Sequence, residues 1–599
     1  MTRRGGRRTS LPSGRTRDAD FLPATREEMS ARGWDRLDVI LVTGDAYVDS
    51  PFIGAAAIGR LLEKAGCRVG VLAQPDVRSG TDIERLGEPA LFWGVSGGSV
   101  DSMVANYTAL GKPRRTDDFT PGGLNDRRPD RAVIAYTNLI RSRFKRTKPI
   151  VLGGIEASLR RVAHYDYWTD TIRGSILADA KADTLVYGMG ERAVLEIAAR
   201  LRDGRDWRDV RGLCHLAASP PDGCIALPSL AEVRADPDAF IRMFRVFCEN
   251  QDPPTAQRLC QRQDGRWLVH NPPQPHLSEA GLDEVCELPF SREVHPLDAQ
   301  RGAVRAQDTI RFSLASHRGC AGECRFCAVA LHQGRRVLSR SEASLLREAG
   351  RLAASAGFRG VISDVGGPTA NMYGLSCGKM ERSGACRDRR CLFPEPCPSL
   401  EHDHGRQMRL LRKLRALPGV RHVFVSSGVR HDLVLDDRRS GLAYLGELAA
   451  HHVSGQLKLA PEHSEQGVLD VMGKAGRRHL ADFKEAFDRL SRKAGKKQFL
   501  TYYLLAAHPG CTDEDMQRLG EFARRELHLV PEQVQIFTPT PSTWSTVMYR
   551  TGVDPFSGRR LFVEKTARGK QRQKDLATGD GRRERRKKKN RNAGRACPT

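Results

Sequence analysis

From residue 308 onward the sequence alternates strand-like and helix-like segments on a beat of roughly 40 residues, and a chain that does so is held to α/β architecture. Six strand candidates end at RFSLAS, GVISDVGG, VRHVFVSSG, VSGQLKLAP, QFLTYYLLAAHPG and VQIFTPTP. Helical patterns such as SEASLLREAGRLAASAG and TDEDMQRLGEFARREL lie between them. Each strand ends in Gly, Ser, His or Pro, residue types that suit the ligand-facing rim of a barrel-type sheet.

The first of these strands runs into SHRGCAGECRFCAVA. It places Cys320, Cys324 and Cys327 in the spacing C-x3-C-x2-C, with Phe326 just before the last. Three thiols on a short loop past a strand's end suit an iron–sulfur cluster, since a cubane can take three cysteines and leave one iron free. A structural zinc prefers four protein ligands in C-x2-C pairs, and here it would need His317 or His332 as the fourth.

A second group, Cys377, Cys386, Cys391 and Cys397, has the spacing C-x8-C-x4-C-x5-C in an insertion over residues 373–404. That loop is rich in Pro and Arg and poor in core-forming residues, so it needs a staple. An auxiliary iron–sulfur cluster or a four-thiolate zinc site both fit.

Upstream, DVILV, AAAIGRLLEKAG and CRVGVLAQPD read as strand, helix and strand, with Gly66 closing the helix. The pattern repeats through residue 205 and predicts a doubly wound, Rossmann-like parallel sheet over 21–205. Gly-rich turns at 96–98 and 153–154 read as tight strand-to-helix turns rather than phosphate cradles. Residues 206–300 read as a connecting region in which Cys214, Cys224, Cys248, Cys260 and Cys286 are ordinary small residues without paired spacing.

The formal net charge is +25, and much of it sits in the tails. Residues 559–599 carry 16 Lys/Arg against 4 Asp/Glu, and residues 1–20 carry 6 Arg against 2 Asp. Both are expected to be disordered, RRERRKKKNR above all. No apolar run approaches the roughly 20 residues of a membrane span. The twin arginines at the N-terminus have no apolar segment behind them, so a cytoplasmic protein is expected, with no membrane partner. In that compartment 15 cysteines argue for metal or redox chemistry rather than disulfides.

The cysteine loop, the opening FLPATREEMSARGWDRLDVILVTGDAYVDSPFIG and the turn ISDVGGPTANMYG together resemble the radical S-adenosylmethionine (radical SAM) superfamily, and within it the YgiQ-type proteins. The resemblance implies a 4Fe–4S cluster on Cys320, Cys324 and Cys327, with S-adenosylmethionine bound at the free iron and cleaved reductively to a 5′-deoxyadenosyl radical. It implies a partial (β/α)6 TIM-type barrel over 301–558 behind a cobalamin-binding-like domain. On the rim it implies that the backbone at Gly366 and Gly367 receives the methionyl amino group, although Pro368 stands where the family often has Glu. Ser426 would approach the ribose or carboxylate, Arg430 would clamp a carboxylate, Glu462 would bind ribose, and Phe326 would pack against cluster or adenine. The lower-ligand motif of cobalamin-binding members, D-x-H-x-x-G, is missing its histidine in the loop beginning Asp45-Ala46-Tyr47, so cobalamin is not expected. An electron donor such as a flavodoxin or ferredoxin is implied, and no substrate is.

Two further segments, His508-Pro509-Gly510-Cys511-Thr512 and Pro539-Thr540-Pro541-Ser542-Thr543, resemble turns of radical methylthiotransferases. With the polycationic tail they make RNA a candidate partner and RNA modification an alternative activity. The alternative of another class is a non-catalytic metal–thiolate protein that binds nucleic acid.

Overall fold

In the computed structural model the described residues are 21–579 apart from Gln533. The chain is a mixed α/β protein. Its first half is built on one nine-stranded sheet, in spatial order Val69–Ala73, Val39–Thr43, Phe92–Ser96, Ile150–Gly153, Thr184–Val186, Leu213–Ala217, Arg266–His270, Leu259–Gln263 and Ile225–Leu227. The first five are mutually parallel. VILVT and VGVLA are buried at every residue, the pattern of a parallel sheet covered on both faces. Helix Gly54–Lys64 links these two and buries Ala56, Ala57, Leu61 and Leu62.

Val39–Thr43 lies between Val69–Ala73 and Phe92–Ser96, so the strand order reverses beside it, where open α/β sheets commonly take ligands. Here the protein fills that crevice itself. Buried Arg128 pairs with Asp45 and Asp117 at 2.9 Å each and donates to the Gly97 carbonyl at 2.6 Å. A Cβ on Gly44 would stand 2.2 Å from that same carbonyl oxygen, and one on Gly98 (φ 104°) 2.2 Å from Asp45 Oδ1.

Residues 206–300, expected to connect two domains, instead supply the last four strands of the sheet. They also supply helix Pro237–Glu249, which buries Phe240, Met243, Phe244 and Phe247. LCQRQ and RWLVH escape a hydropathy reading because Gln261, Gln263 and His270 are buried as hydrogen-bonded polar groups. The parallel pairing of Ile225–Leu227 with Leu259–Gln263 brings Cys224 and Cys260 together as a disulfide, against the expectation of free thiols.

In the second half, residues 361–366 pair in parallel with Ser313–Ala315 on one side and His422–Val423 on the other. Val429 bridges to Leu459, and Gln456–Glu462, Phe499–Ala506 and Val534–Ile536 complete a parallel series. The six expected strands thus lie side by side in chain order, in short ladders rather than one continuous sheet. One apolar cluster runs through both halves, from Ile40 and Trp93 through Phe247 to Leu414 and Leu504.

Part of the expected disordered tail is ordered. Helix Ala567–Thr578 packs on Asp513–Arg525 and buries Gly569, Lys570, Gln573 and Ala577. Gln573 accepts from the Ala507 amide at 2.9 Å and donates to the Cys511 carbonyl at 3.0 Å. Lys570 Nζ donates to the hydroxyls of Tyr167 (2.8 Å) and Tyr549 (2.9 Å), and so ties this helix to both halves. The surrounding charge hid a narrow buried stripe. The disorder expected of residues 1–20 and of RRERRKKKNR lies outside the described residues. Among the described residues no helix is long and apolar enough to cross a membrane.

Replacing Gln573 with Leu strands a buried amide and a buried carbonyl, each at about 1–3 kcal/mol. The Gln573→Leu protein should therefore melt several degrees below wild type in a thermal scan, whereas an unchanged melting temperature would mean this helix is dispensable.

Candidate functional site

The cysteine loop is fixed at its base and at its tip. At the base His317–Arg318 pairs antiparallel with Leu338–Ser339, and the Cys320 amide donates to the Gly334 carbonyl at 3.1 Å. Gly319 has φ 82°, and a Cβ there would meet the Arg336 carbonyl oxygen at 2.0 Å, so only glycine fits this approach. At the tip the Arg325 amide donates to the Met472 carbonyl (2.9 Å), and the Ser545 amide donates to the Arg325 carbonyl (2.9 Å).

Cys320 Sγ lies 3.6 Å from Thr369 Oγ1, and Arg430 Nη1 lies 3.8 Å from Cys324 Sγ. Burial, reinforced by the charge of Cys324, pushes the Cys327 thiol up to about 12 and raises Cys320 as well. Thiolates here need a positive centre, which iron would supply. Of the two histidines that could complete a zinc site, His317 is engaged, with Nε2 on the Thr369 carbonyl (3.0 Å) and Nδ1 on Ser316 Oγ (2.9 Å), whereas His332 Nδ1 has no partner within the protein. Among the described residues no three His, Cys, Asp or Glu side chains stand gathered for a single metal ion. A donor set of three cysteines on one loop fits an iron–sulfur cluster.

The rim residues assemble around Asp364, which the sequence reading left without a role. Its carboxylate accepts from the amides of Ser426 (2.8 Å) and Ser427 (3.2 Å) and from the Ser427 hydroxyl. Ser426 Oγ is spent on the Ser363 carbonyl at 2.7 Å, so its amide and hydroxyl shape the turn. Gly367 faces His317, whose Nε2 would stand 2.6 Å from an added Cβ. Gly366 packs beside Ser427, 3.2 Å from its Oγ on the same construction.

Arg430 is not open to clamp a substrate carboxylate, because it already grips Asp432, with Nε 3.0 Å from Oδ1. That pair, with Arg430 foremost among the attractive charges, holds the Asp432 carboxyl far below the usual range against its burial. Glu462, at φ 65°, lies 3.3 Å from Lys474 Nζ, and that ammonium stands 5.8 Å from the Phe326 ring centroid. Lys474 carries no motif and was missed. His508 and His463 are structural: His508 bonds Ser545 Oγ at 2.7 Å, and His463 accepts from the Glu465 amide at 3.1 Å.

The insertion has its own protein-built order. Ser376 and Glu401 exchange backbone hydrogen bonds of 3.0 and 2.8 Å at its base. Met372, Leu375, Met380, Leu392 and Leu400 form a small core with Cys391, against which Cys377, Cys397 and Cys320 pack. Cys386 lines a cavity of about 1000 Å³ between the two halves, which also touches Cys324 and Cys327.

Gly319→Ala should cost about 1–2 kcal/mol for the left-handed backbone alone, before any clash. Iron taken up on anaerobic reconstitution should fall well below wild type. Gly350→Ala, where nothing lies within 4 Å, should leave it unchanged. Equal iron in both variants would mean that the loop base does not shape the site.

Comparison with known proteins bears on the same residues. The Radical SAM N-terminal profile matches residues 21–313, and the Radical SAM superfamily profile matches 314–523. A UPF0313 protein of Fusobacterium nucleatum is 53% identical over 559 residues, covering 93% of this chain and 98% of that protein. One from Thermotoga maritima is 48% identical over 558 residues with the same coverage. Among solved structures, the radical SAM methyltransferase TsrM from Kitasatospora setae is similar at 15% identity and TM-score 0.47, covering 84% of this chain and 74% of that one. The cobalamin-dependent radical SAM enzyme OxsB is similar at 11% identity and TM-score 0.48, covering 87% and 56%. The expectation against cobalamin is corrected by these findings, since the similar structures include cobalamin-binding radical SAM enzymes. Likenesses of this size assign no ligand to this chain. Identity of about half over nearly the whole length, with both profiles in register, places the chain in the UPF0313, YgiQ-type family of radical SAM proteins.

Proposed function

We propose that this protein is a radical SAM enzyme in which Cys320, Cys324 and Cys327 hold a 4Fe–4S cluster at the rim of a partial (β/α)6 barrel. The observation that carries this reading is the loop itself. It carries three cysteines within residues 320–327, is pinned at base and tip by backbone hydrogen bonds, and stands beside the Asp364-centred turns. When bound, the cluster and S-adenosylmethionine supply a one-electron cleavage that yields methionine and a 5′-deoxyadenosyl radical.

The chain's own residues orient and shield. Asp364 holds the turn at Ser426 and Ser427 against Gly366. Gly367, lacking a side chain, leaves its backbone clear above His317. Phe326 offers an apolar face beside Lys474 and Glu462. Arg430, neutralised in part by Asp432, sets positive charge against Cys324, a cluster-stabilising rather than a substrate-clamping role. A flavodoxin- or ferredoxin-type donor in the cytoplasm is the fitting reductant. The first half serves as a Rossmann-like partner domain that walls the cavity on its far side.

RNA modification gains little from the two turns that suggested it, since both have local employment. Thr512 caps helix Asp513–Arg525 in a capping box with Asp515, and Thr543 caps Trp544–Thr551. The polycationic segment lies outside the described residues. A non-catalytic nucleic-acid binder has no use for the Asp364 and Gly367 turns.

The test is anaerobic reconstitution with iron and sulfide, then dithionite and S-adenosylmethionine, with chromatographic assay of 5′-deoxyadenosine. Wild type should form it, and a variant carrying Cys320→Ala, Cys324→Ala and Cys327→Ala should not. Equal yields from the two proteins would refute the assignment.

A further inference from the structure

The cavity between the two halves carries an electrostatic imbalance. Nine arginines and six carboxylates line it, an excess of three positive charges. Some are matched: Arg318 pairs with Glu191, and Arg335 with Glu323 at 2.8 Å. Arg390 is not. Among the described residues it makes no ion pair, donates to the Glu323 carbonyl, and stacks 5.4 Å from the Phe556 ring.

Arg325 stacks on the same ring at 3.8 Å. Its nearest carboxylate, Asp554, is 3.9 Å away, and its Nε is buried without a partner. Behind the opposite wall, fully buried Arg161 stacks on Tyr187 (4.5 Å) and bonds only neutral groups, among them His270 Nε2 at 3.1 Å. Two more buried nitrogens at the cavity, His332 Nδ1 and Arg335 Nε, lack hydrogen-bond partners within the protein.

Two guanidinium groups stacked on one ring with a single carboxylate, 3.9 Å from one of them, are under-compensated, and an arriving anion relieves their repulsion. Their planar forks match the two oxygens of a carboxylate or phosphate. About 1000 Å³ admits a ligand of nucleotide or short-peptide size. The cavity also touches Cys324 and Cys327, which line it beside Arg325.

We propose that this cavity is the substrate site and that it selects a substrate bearing a carboxylate or phosphate group, held by Arg325 and Arg390 against Phe556. The inference rests on the radical SAM reading, which makes the space beside Cys324 and Cys327 the place where a substrate must lie.

Titration calorimetry on the full-length reconstituted protein, with inorganic phosphate and with succinate as separate probes, tests it. At least one probe should bind, and Arg390→Gln should weaken that binding about tenfold or more. Arg390→Lys keeps the charge but not the fork, and should weaken it less. Preference for phosphate would assign a phosphorylated substrate, and preference for succinate a carboxylate. If Arg390→Gln fails to fold by its melting curve, Arg390→Lys decides alone. No binding of either probe to wild type, or binding by the folded variant equal to wild type, overturns the proposal. Wild type that forms 5′-deoxyadenosine but ignores both probes ends this inference and leaves the radical reading standing. Wild type that binds a probe but forms none ends the parent reading instead.

Discussion

Arg318 sits half-buried at the base of the cysteine loop, and its guanidinium meets Glu191 at the start of helix Glu191–Arg202 in the other half of the molecule. Glu191 is buried, so removing Arg318 would leave its carboxylate short of a counter-charge. A second buried set lies next to it: Glu348 joins Arg292 and Arg340, and Arg292 also donates to the Ser313 carbonyl on the strand that feeds the loop. These contacts set the loop against the nine-stranded sheet. They define the cavity between the halves and decide which face of the loop that sheet can reach.

Much of this was legible beforehand. Period-2 and period-3.6 patterns located all six strands of the second half, because RFSLAS or VSGQLKLAP is buried by its own apolar residues. The spacing of Cys320, Cys324 and Cys327 pointed to the radical SAM superfamily, to which residues 314–523 match. What escaped was long-range polar pairing. Gln261, Gln263 and His270 are buried because partners far along the chain satisfy them, and hydropathy registers only that they are polar. Lys570 and Gln573 were hidden in the same way inside a basic run.

The site shows the same division. A motif predicts which residues surround a ligand, while hydrogen-bond capacity already spent is invisible in it. Arg430 was expected to face a ligand, yet Asp432 two residues later occupies its fork. Ser426 was expected to reach out, yet Asp364 and the Ser363 carbonyl hold it. Conversely, the excess charge at Arg325 and Arg390 arises only when Phe556 folds against the loop from near the end of the chain. No local pattern could announce it.

The central claim is that three cysteines leave one iron of a cluster open to S-adenosylmethionine. Mössbauer spectroscopy of the ⁵⁷Fe-reconstituted protein, before and after S-adenosylmethionine is added, addresses it most directly. The account predicts that one iron of four changes its parameters on addition while the other three hold theirs. Four irons that stay indistinguishable before and after, or a spectrum without a cubane cluster, would contradict it.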